Sequence, residues 1–174
     1  GTCAEFGCGV GRCTIWLAKR FARVVAFDIS EPHLHLAIAR AKAAGLNNVE
    51  FVHLKTSDDL KKLTDIDFFY SIIVLQHNPP PVIASILAHA FAGLRPGGTA
   101  FFQVPTYAAD YSFNLKEYLR HKSHRDVEMH FIPQRSVFDL AAAHGLRPVE
   151  VSPDGAIGHF GRWISTSFLM TKRA

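Results

Sequence analysis

Long apolar runs are missing from this 174-residue chain. None reaches the ~18–20 residues of a membrane-spanning helix, so no such span is expected. Cysteine is scarce: Cys3, Cys8 and Cys13 are odd in number and five apart. That spacing matches neither a disulfide framework nor a Cys-x-x-Cys metal site, and points to reduced thiols in a cytoplasmic protein. Concentrated charge is also lacking. The net +4 is spread over Lys19-Arg20, Lys61-Lys62, Arg120 to Arg125 and Lys172-Arg173. Nucleic-acid binders carry a denser basic stripe with interleaved aromatics, so the stretch Arg120 to Arg125 reads as a solvated face and a nucleic-acid partner is not expected. Ten histidines are present, yet His33-x-His35 and His121-x-x-His124 have no carboxylate or third ligand at a suitable spacing, and no metal site is expected. Repeats and low-complexity tracts are absent. What remains is a globular composition, 48% hydrophobic and 20% charged. Its length suits one domain that buries roughly 68–70% of its unfolded surface.

The informative residues come first. A short apolar strand, Thr2 to Phe6, runs into Gly7-Cys8-Gly9-Val10-Gly11, and a helical pattern follows from Arg12 to Phe21. Glycine permits positive φ and close backbone approach. A helix starting behind such a turn offers unpaired N–H groups to an anionic ligand end. The dinucleotide fingerprint Gly-x-Gly-x-x-Gly fits in neither register, because Arg12 or Thr14 stands where its third glycine belongs. Glu5, two residues ahead of Gly7, would repel a pyrophosphate. It suits a ligand with positive charge beside a carboxylate, as in S-adenosylmethionine.

Farther along, Arg23 to Asp28 reads as a buried strand ending on an acid. Ser30 caps a helix with Pro32 in its first turn, and Gly45 stops it. Strands are expected at 48–54, at 68–75 and, after the turn Arg95-Pro96-Gly97-Gly98, at 99–104. A short helix lies around 60–63, and Asn78 with three prolines opens a longer one that reaches Leu94. The alternation implies right-handed βαβ units and a parallel sheet. Residues 105–132 break the pattern with Tyr107, Tyr111, Phe113 and Tyr118, and read as an inserted substrate-facing segment. A helix at 134–144 and strands at 146–151 and 162–171 follow. With no helix between them, those strands must pair antiparallel or lie apart.

Asp28 sits where an open parallel sheet places its ligands. Its carboxylate can accept hydrogen bonds from both ribose hydroxyls, although a turn or capping acid is the competing role. Ile29 behind it can lie against an adenine. Gln76 and His77 follow the fourth strand at the same edge, and a histidine there can act as general base, worth roughly 10²–10⁴ in rate. Orienting the loop or capping the next helix is its alternative role. His130 is a second, weaker candidate.

The pattern Glu5-x-Gly7-x-Gly9-x-Gly11, together with Asp28, the run Phe69 to Pro80 and the turn Leu94-Arg95-Pro96-Gly97-Gly98-Thr99, resembles class I S-adenosylmethionine-dependent methyltransferases over nearly the whole chain. The resemblance implies a Rossmann-like αβα sandwich: three layers around a seven-stranded, mostly parallel sheet with an antiparallel last strand. It implies cofactor contacts from Glu5, Gly7, Cys8, Gly9, Gly11, Asp28, Ile29 and Val74. Adenine contact would come from Ser57 or Asp58, where the family's usual Gly-Asp is replaced by Lys55-Thr56-Ser57-Asp58-Asp59. The expected activity is methyl transfer to a small-molecule oxygen or nitrogen nucleophile, with carbon a third option, and with His77 and Gln76 as catalytic candidates. The runner-up is an S-adenosylmethionine-binding domain without transferase activity within a larger protein. A nicotinamide oxidoreductase is disfavoured by the glycine spacing. An amino-directed DNA methyltransferase is disfavoured because Asn78-Pro79-Pro80 lacks the following aromatic. The chain begins at its first strand, so a preceding helix or covering segment is expected in a longer polypeptide.

Overall fold

The computed structural model describes residues 1–120, 128–157 and 161–174. Seven strands form one sheet in the order β3-β2-β1-β4-β5-β7-β6. They are β1 (Thr2–Phe6), β2 (Arg23–Asp28), β3 (Val49–His53), β4 (Ile66–Ser71), β5 (Leu94–Ala108), β6 (Leu146–Asp154) and β7 (Trp163–Lys172). Strands β1 to β5 pair in parallel, while β7 runs antiparallel to both β5 and β6. The helices are α1 (Thr14–Ala18), α2 (Glu31–Ala43), α3 (Pro80–Gly93), α4 (Leu115–Arg120) and α5 (Gln134–Ala143). This is the seven-stranded sandwich that the family resemblance implies.

Side-chain alternation along the strands divides the core in two. Cys3, Val24 and Ala26 turn to one face, where they meet Ala18 of α1 and Leu34 of α2. Ala4, Phe6, Val25 and Phe27 turn to the other, against Ile83, Leu87 and Phe91 of α3 and Val137 of α5. Both faces are covered, which is why these strands read as continuous apolar runs. Phe102 of β5 stacks on Phe168 of β7 with ring centroids 5.1 Å apart, joining the parallel and antiparallel halves.

Four expectations need adjustment. The helix expected from Arg12 is only Thr14–Ala18, because left-handed glycines carry residues 8–13 through turns first. The fourth strand stops at Ser71 rather than Leu75: Ile73 adopts φ +58°, and Leu75–His77 is a 3₁₀ turn. The Arg95–Gly98 turn is absorbed into the start of β5 as an irregularity opposite Ile66–Phe68. Residues 105–108 of the expected insertion continue β5, and α4 lies within its remainder. The basic run 121–125 and the pair His121/His124 lie outside the described residues. No helix among the described residues is long and apolar enough to cross a membrane.

Besides the apolar packing of the core, a cation of β7 holds the end of α3. Lys172 Nζ donates to the carbonyls of Phe91 (2.9 Å), Ala92 (3.0 Å) and Leu94 (2.8 Å), the orphan acceptors at the helix end. Lys172→Met keeps the apolar stem and deletes those bonds. It is expected to lower stability by roughly 1.5–3 kcal/mol in urea denaturation; an unchanged midpoint would show the ammonium to be dispensable.

Candidate functional site

Strand order reverses direction beside β1, whose neighbours β2 and β4 lead to opposite halves of the sheet, and the crevice at the carboxyl ends of these strands is where open α/β sheets bind ligands. A cavity of about 310 Å³ occupies that position. The end of β1 contributes Phe6, Gly7 and Gly9, and the end of β2 contributes Asp28 and Ile29. The segment after β4 adds Ile73, Val74, His77 and Asn78, while His33 and Leu54 complete the wall. A second hollow of about 370 Å³ adjoins it, sharing Phe6, Ile29, Leu54 and Asn78 and adding Ser57 and Leu60. Together they form one trough from the glycine loop to the loop after β3.

The glycines differ in purpose. A Cβ on Gly9 would meet nothing within 4 Å, and its φ of +52° turns its N–H onto Asp28 Oδ2 at 2.7 Å. Gly11 is a packing residue: a Cβ there would lie 2.9 Å from the Ala37 Cβ of α2. The N–H groups of Gly7 and Cys8 both donate to the Phe27 carbonyl, at 2.8 and 2.9 Å. The N–H groups of Gly7, Cys8 and Gly9 are therefore spent on the end of β2.

Asp28 is 8% exposed, with one oxygen on Gly9 N–H and the other on Ser30 N–H at 2.8 Å. It thus serves as a turn acid and as the carboxylate lining the cavity. Ile29 is 76% exposed beside it, an apolar surface facing the trough. Glu5 is buried and accepts the Thr14 hydroxyl at 2.5 Å; it does not line the cavity. Burial pushes its carboxyl up to about 7, the Thr14 bond opposes this, and the nearby Asp28 charge adds to it. Cys8 packs inward beside Cys3 and Ala26, and burial drives its thiol well above the usual range. Of the two adenine-loop candidates Ser57 lines the trough, whereas Asp58 turns away to pair with Lys61 at 2.6 Å. The carboxylate that organises this loop is Asp59, which accepts the N–H groups of Lys55 and Thr56, both at 2.9 Å.

His77 and Gln76 part company. The His77 ring lines the cavity with Gly7 and Gly9, and its Nδ1 is 3.0 Å from the Glu128 carbonyl. Gln76 is 1% exposed, lines neither hollow, and its Oε1 has no partner among the described residues. The expected position beside a reacting centre is not where its side chain lies. Of the expected insertion aromatics, Tyr107 is half exposed on β5, and Tyr111, Phe113 and Tyr118 gather around His130. Ile73, Leu54 and His33 escaped the sequence reading. His33 had a signal, its place in the first turn behind the Ser30 cap. Ile73 had none, since a β-branched residue at positive φ is not legible from residue type. Its N–H reaches Gln103 Oε1 at 3.0 Å, and Gln103 Nε2 donates to Ser165 Oγ at 2.5 Å. This buried pair holds a conformation that costs roughly 1–3 kcal/mol.

A glycine loop, an acid ending β2 and an exposed apolar residue beside it converge in one crevice. The model of a family described as "Methyltransferase domain" matches residues 4–98, more than half of the chain. The chain belongs to this family. The methyltransferase domain also shares 37% identity over 62 residues with a tRNA/tmRNA (uracil-C(5))-methyltransferase of Ectopseudomonas mendocina, a match covering 36% of this chain and spanning only 17% of that protein's length. Among solved structures it resembles a magnesium protoporphyrin IX methyltransferase of Synechocystis PCC 6803 with bound SAH (19% identity, TM-score 0.69, 98% of this chain and 73% of that one). It also resembles an S-adenosylmethionine-dependent methyltransferase of Clostridium acetobutylicum (12% identity, TM-score 0.75, 99% and 84%). At these identities the likeness is one of fold.

Two predictions follow from the loop. Between pH 4.5 and about 7 the folded domain holds a Glu5 proton that the unfolded chain has released. Stability without ligand therefore falls across that window by roughly 3 kcal/mol and levels off above it. Glu5→Gln removes the dependence, so its melting temperature should exceed the parent's at pH 8 and match it at pH 4.5. Parallel melting curves would place the carboxyl in its ordinary range. Separately, Gly11→Ala should destabilise the fold by displacing α2, whereas Gly9→Ala should cost only about 1 kcal/mol for its left-handed φ and narrow the cavity. Urea denaturation of the two variants distinguishes these roles.

Proposed function

We propose that the domain binds S-adenosylmethionine in the trough from Gly9 to Ser57 and catalyses methyl transfer to a small-molecule oxygen or nitrogen nucleophile. The observation that carries this reading is the meeting of Gly9, Asp28, Ile29 and His77 in one cavity at the strand-order reversal. The residues fit such a cofactor. Open space at Gly9 admits a chain running close to the backbone. Asp28 retains lone pairs for ribose hydroxyls beyond its two backbone bonds. Ile29 and Leu54 offer apolar faces to a purine, with Ser57 at its edge. Glu5 and Asp28 together make the loop a place for a cation, and a bound ammonium would favour the ionised Glu5. The cofactor supplies a methyl group already activated by a sulfonium charge. The protein's work is then alignment and water exclusion, for which proximity accounts for ~7–11 kcal/mol of barrier.

His77 is the proton acceptor in this reading. A backbone carbonyl only accepts, so the contact with Glu128 puts the hydrogen on Nδ1 and leaves the Nε2 lone pair for a proton of the acceptor's hydroxyl or amine. Titration calorimetry is expected to show binding of S-adenosylhomocysteine and no response to NAD; the reverse pattern would overturn the proposal. With an acceptor found by screening, His77→Gln should slow transfer by roughly 10²–10⁴ while cofactor affinity stays within a few-fold. Equal loss of both would make His77 a structural residue.

A further inference from the structure

We infer that the half-buried chain Tyr111–His130–Glu128 is a positioning device for His77, holding the Glu128 carbonyl on Nδ1 and so fixing the ring in the tautomer whose Nε2 is unprotonated. The inference deepens the reading of His77 as proton acceptor, but the ring geometry itself needs no ligand.

Glu128 faces two histidines at once. Its carbonyl meets His77 Nδ1 at 3.0 Å, and its carboxylate Oε2 meets His130 Nε2 at 2.8 Å. The Tyr118 hydroxyl donates to the same carboxylate. On the far side of the His130 ring, Nδ1 lies 2.8 Å from the Tyr111 hydroxyl. That hydroxyl carries a proton it can turn onto Nδ1. With the His130 ring neutral, each step has one donor and one acceptor: Tyr111 O–H to Nδ1, then Nε2–H to the carboxylate.

Packing immobilises the chain. His130 is 7% exposed, with Tyr111, Phe113 and Tyr118 standing edge-on around it at centroid distances of 6.1, 5.8 and 5.7 Å. Its backbone N–H donates to the Gln76 carbonyl at 2.7 Å. Two successive residues of the 3₁₀ turn are thereby tied to the same short segment, Gln76 through its carbonyl and His77 through its ring. The polar chain fixes Glu128 from the side-chain end, and the Gln76 bond fixes the neighbouring backbone. The His77 ring is exposed, and without a held acceptor its two tautomers would interchange freely. A network that merely filled space would need no polar atoms, whereas this one ends on the carbonyl that faces the ring lining the cavity.

The test is a two-bond ¹H–¹⁵N spectrum of ¹⁵N-histidine-labelled protein without ligand, at a pH where the rings are neutral, with His77 assigned by loss of its signals in His77→Gln. The parent is expected to show a protonated Nδ1 and an unprotonated Nε2. Tyr111→Phe and His130→Gln are expected to move His77 toward the averaged signals of a free imidazole, while backbone amide spectra remain folded. A parent ring protonated on Nε2 overturns the inference, as does an unchanged tautomer in the variants. Should His130→Gln not fold, Tyr111→Phe decides, because it deletes one oxygen and keeps the ring. Calorimetry with S-adenosylhomocysteine on the same sample separates the two readings. A locked ring without binding sinks the cofactor assignment alone, and binding with an unlocked ring sinks this inference alone.

Discussion

The glycine loop keeps its shape because the end of β2 holds it. The Phe27 carbonyl takes two successive N–H groups from the loop, and Asp28 takes a third, so three donors of a five-residue turn are anchored on one neighbouring strand. Parallel pairing of β1 with β2, Phe6 opposite Phe27, brings those partners level. A one-residue slip would turn Phe27 out of the core and take the carbonyl away from the loop. The cavity floor, the position of Ile29 and the start of α2 behind Ser30 all inherit their placement from this attachment.

Electrostatically the site is built around an unfavourable act. Glu5 is placed where solvation cannot reach it and a second carboxylate stands nearby, so in the empty domain it gains by holding a proton. In the proposed complex a cation on the loop would reverse that preference. A carboxylate that touches Thr14 rather than lining the cavity would then act on it through desolvation and repulsion and not through contact.

The alternation of strands and helices was legible in side-chain periodicity and turn residues. Gly9, Asp28, Ile29 and His77 could be placed at one sheet edge because each follows the end of a parallel strand. The antiparallel final pair came from the family resemblance, since the residues alone left those strands to pair or lie apart. Other features were not. Nothing in the apolar run from Phe68 to Leu75 announces that the strand ends at Ser71, since Ile73 takes its left-handed conformation from a tertiary bond to Gln103. Gln76 and His77 are neighbours of similar polarity, yet the 3₁₀ turn sends one inward and the other to the cavity. Gly9 and Gly11 look equivalent until α2 is in place, when one opens onto space and the other onto Ala37. Long-range pairings such as Tyr111 with His130 join residues whose separation carries no pattern.

The strand order has a consequence for how this chain acquires its structure. β7 follows β6 in sequence but lies between it and β5. During synthesis the fifteen-residue strand β5 therefore waits with one edge unpaired while α5 and β6 emerge, and β6 has no sheet to join until β7 arrives. Until then Phe102 lacks its stacking partner Phe168, and the open edge is a template for pairing with other chains. The closing step is non-local and comes late, which makes the last strand the gate between a nascent chain exposed to aggregation and a finished sheet.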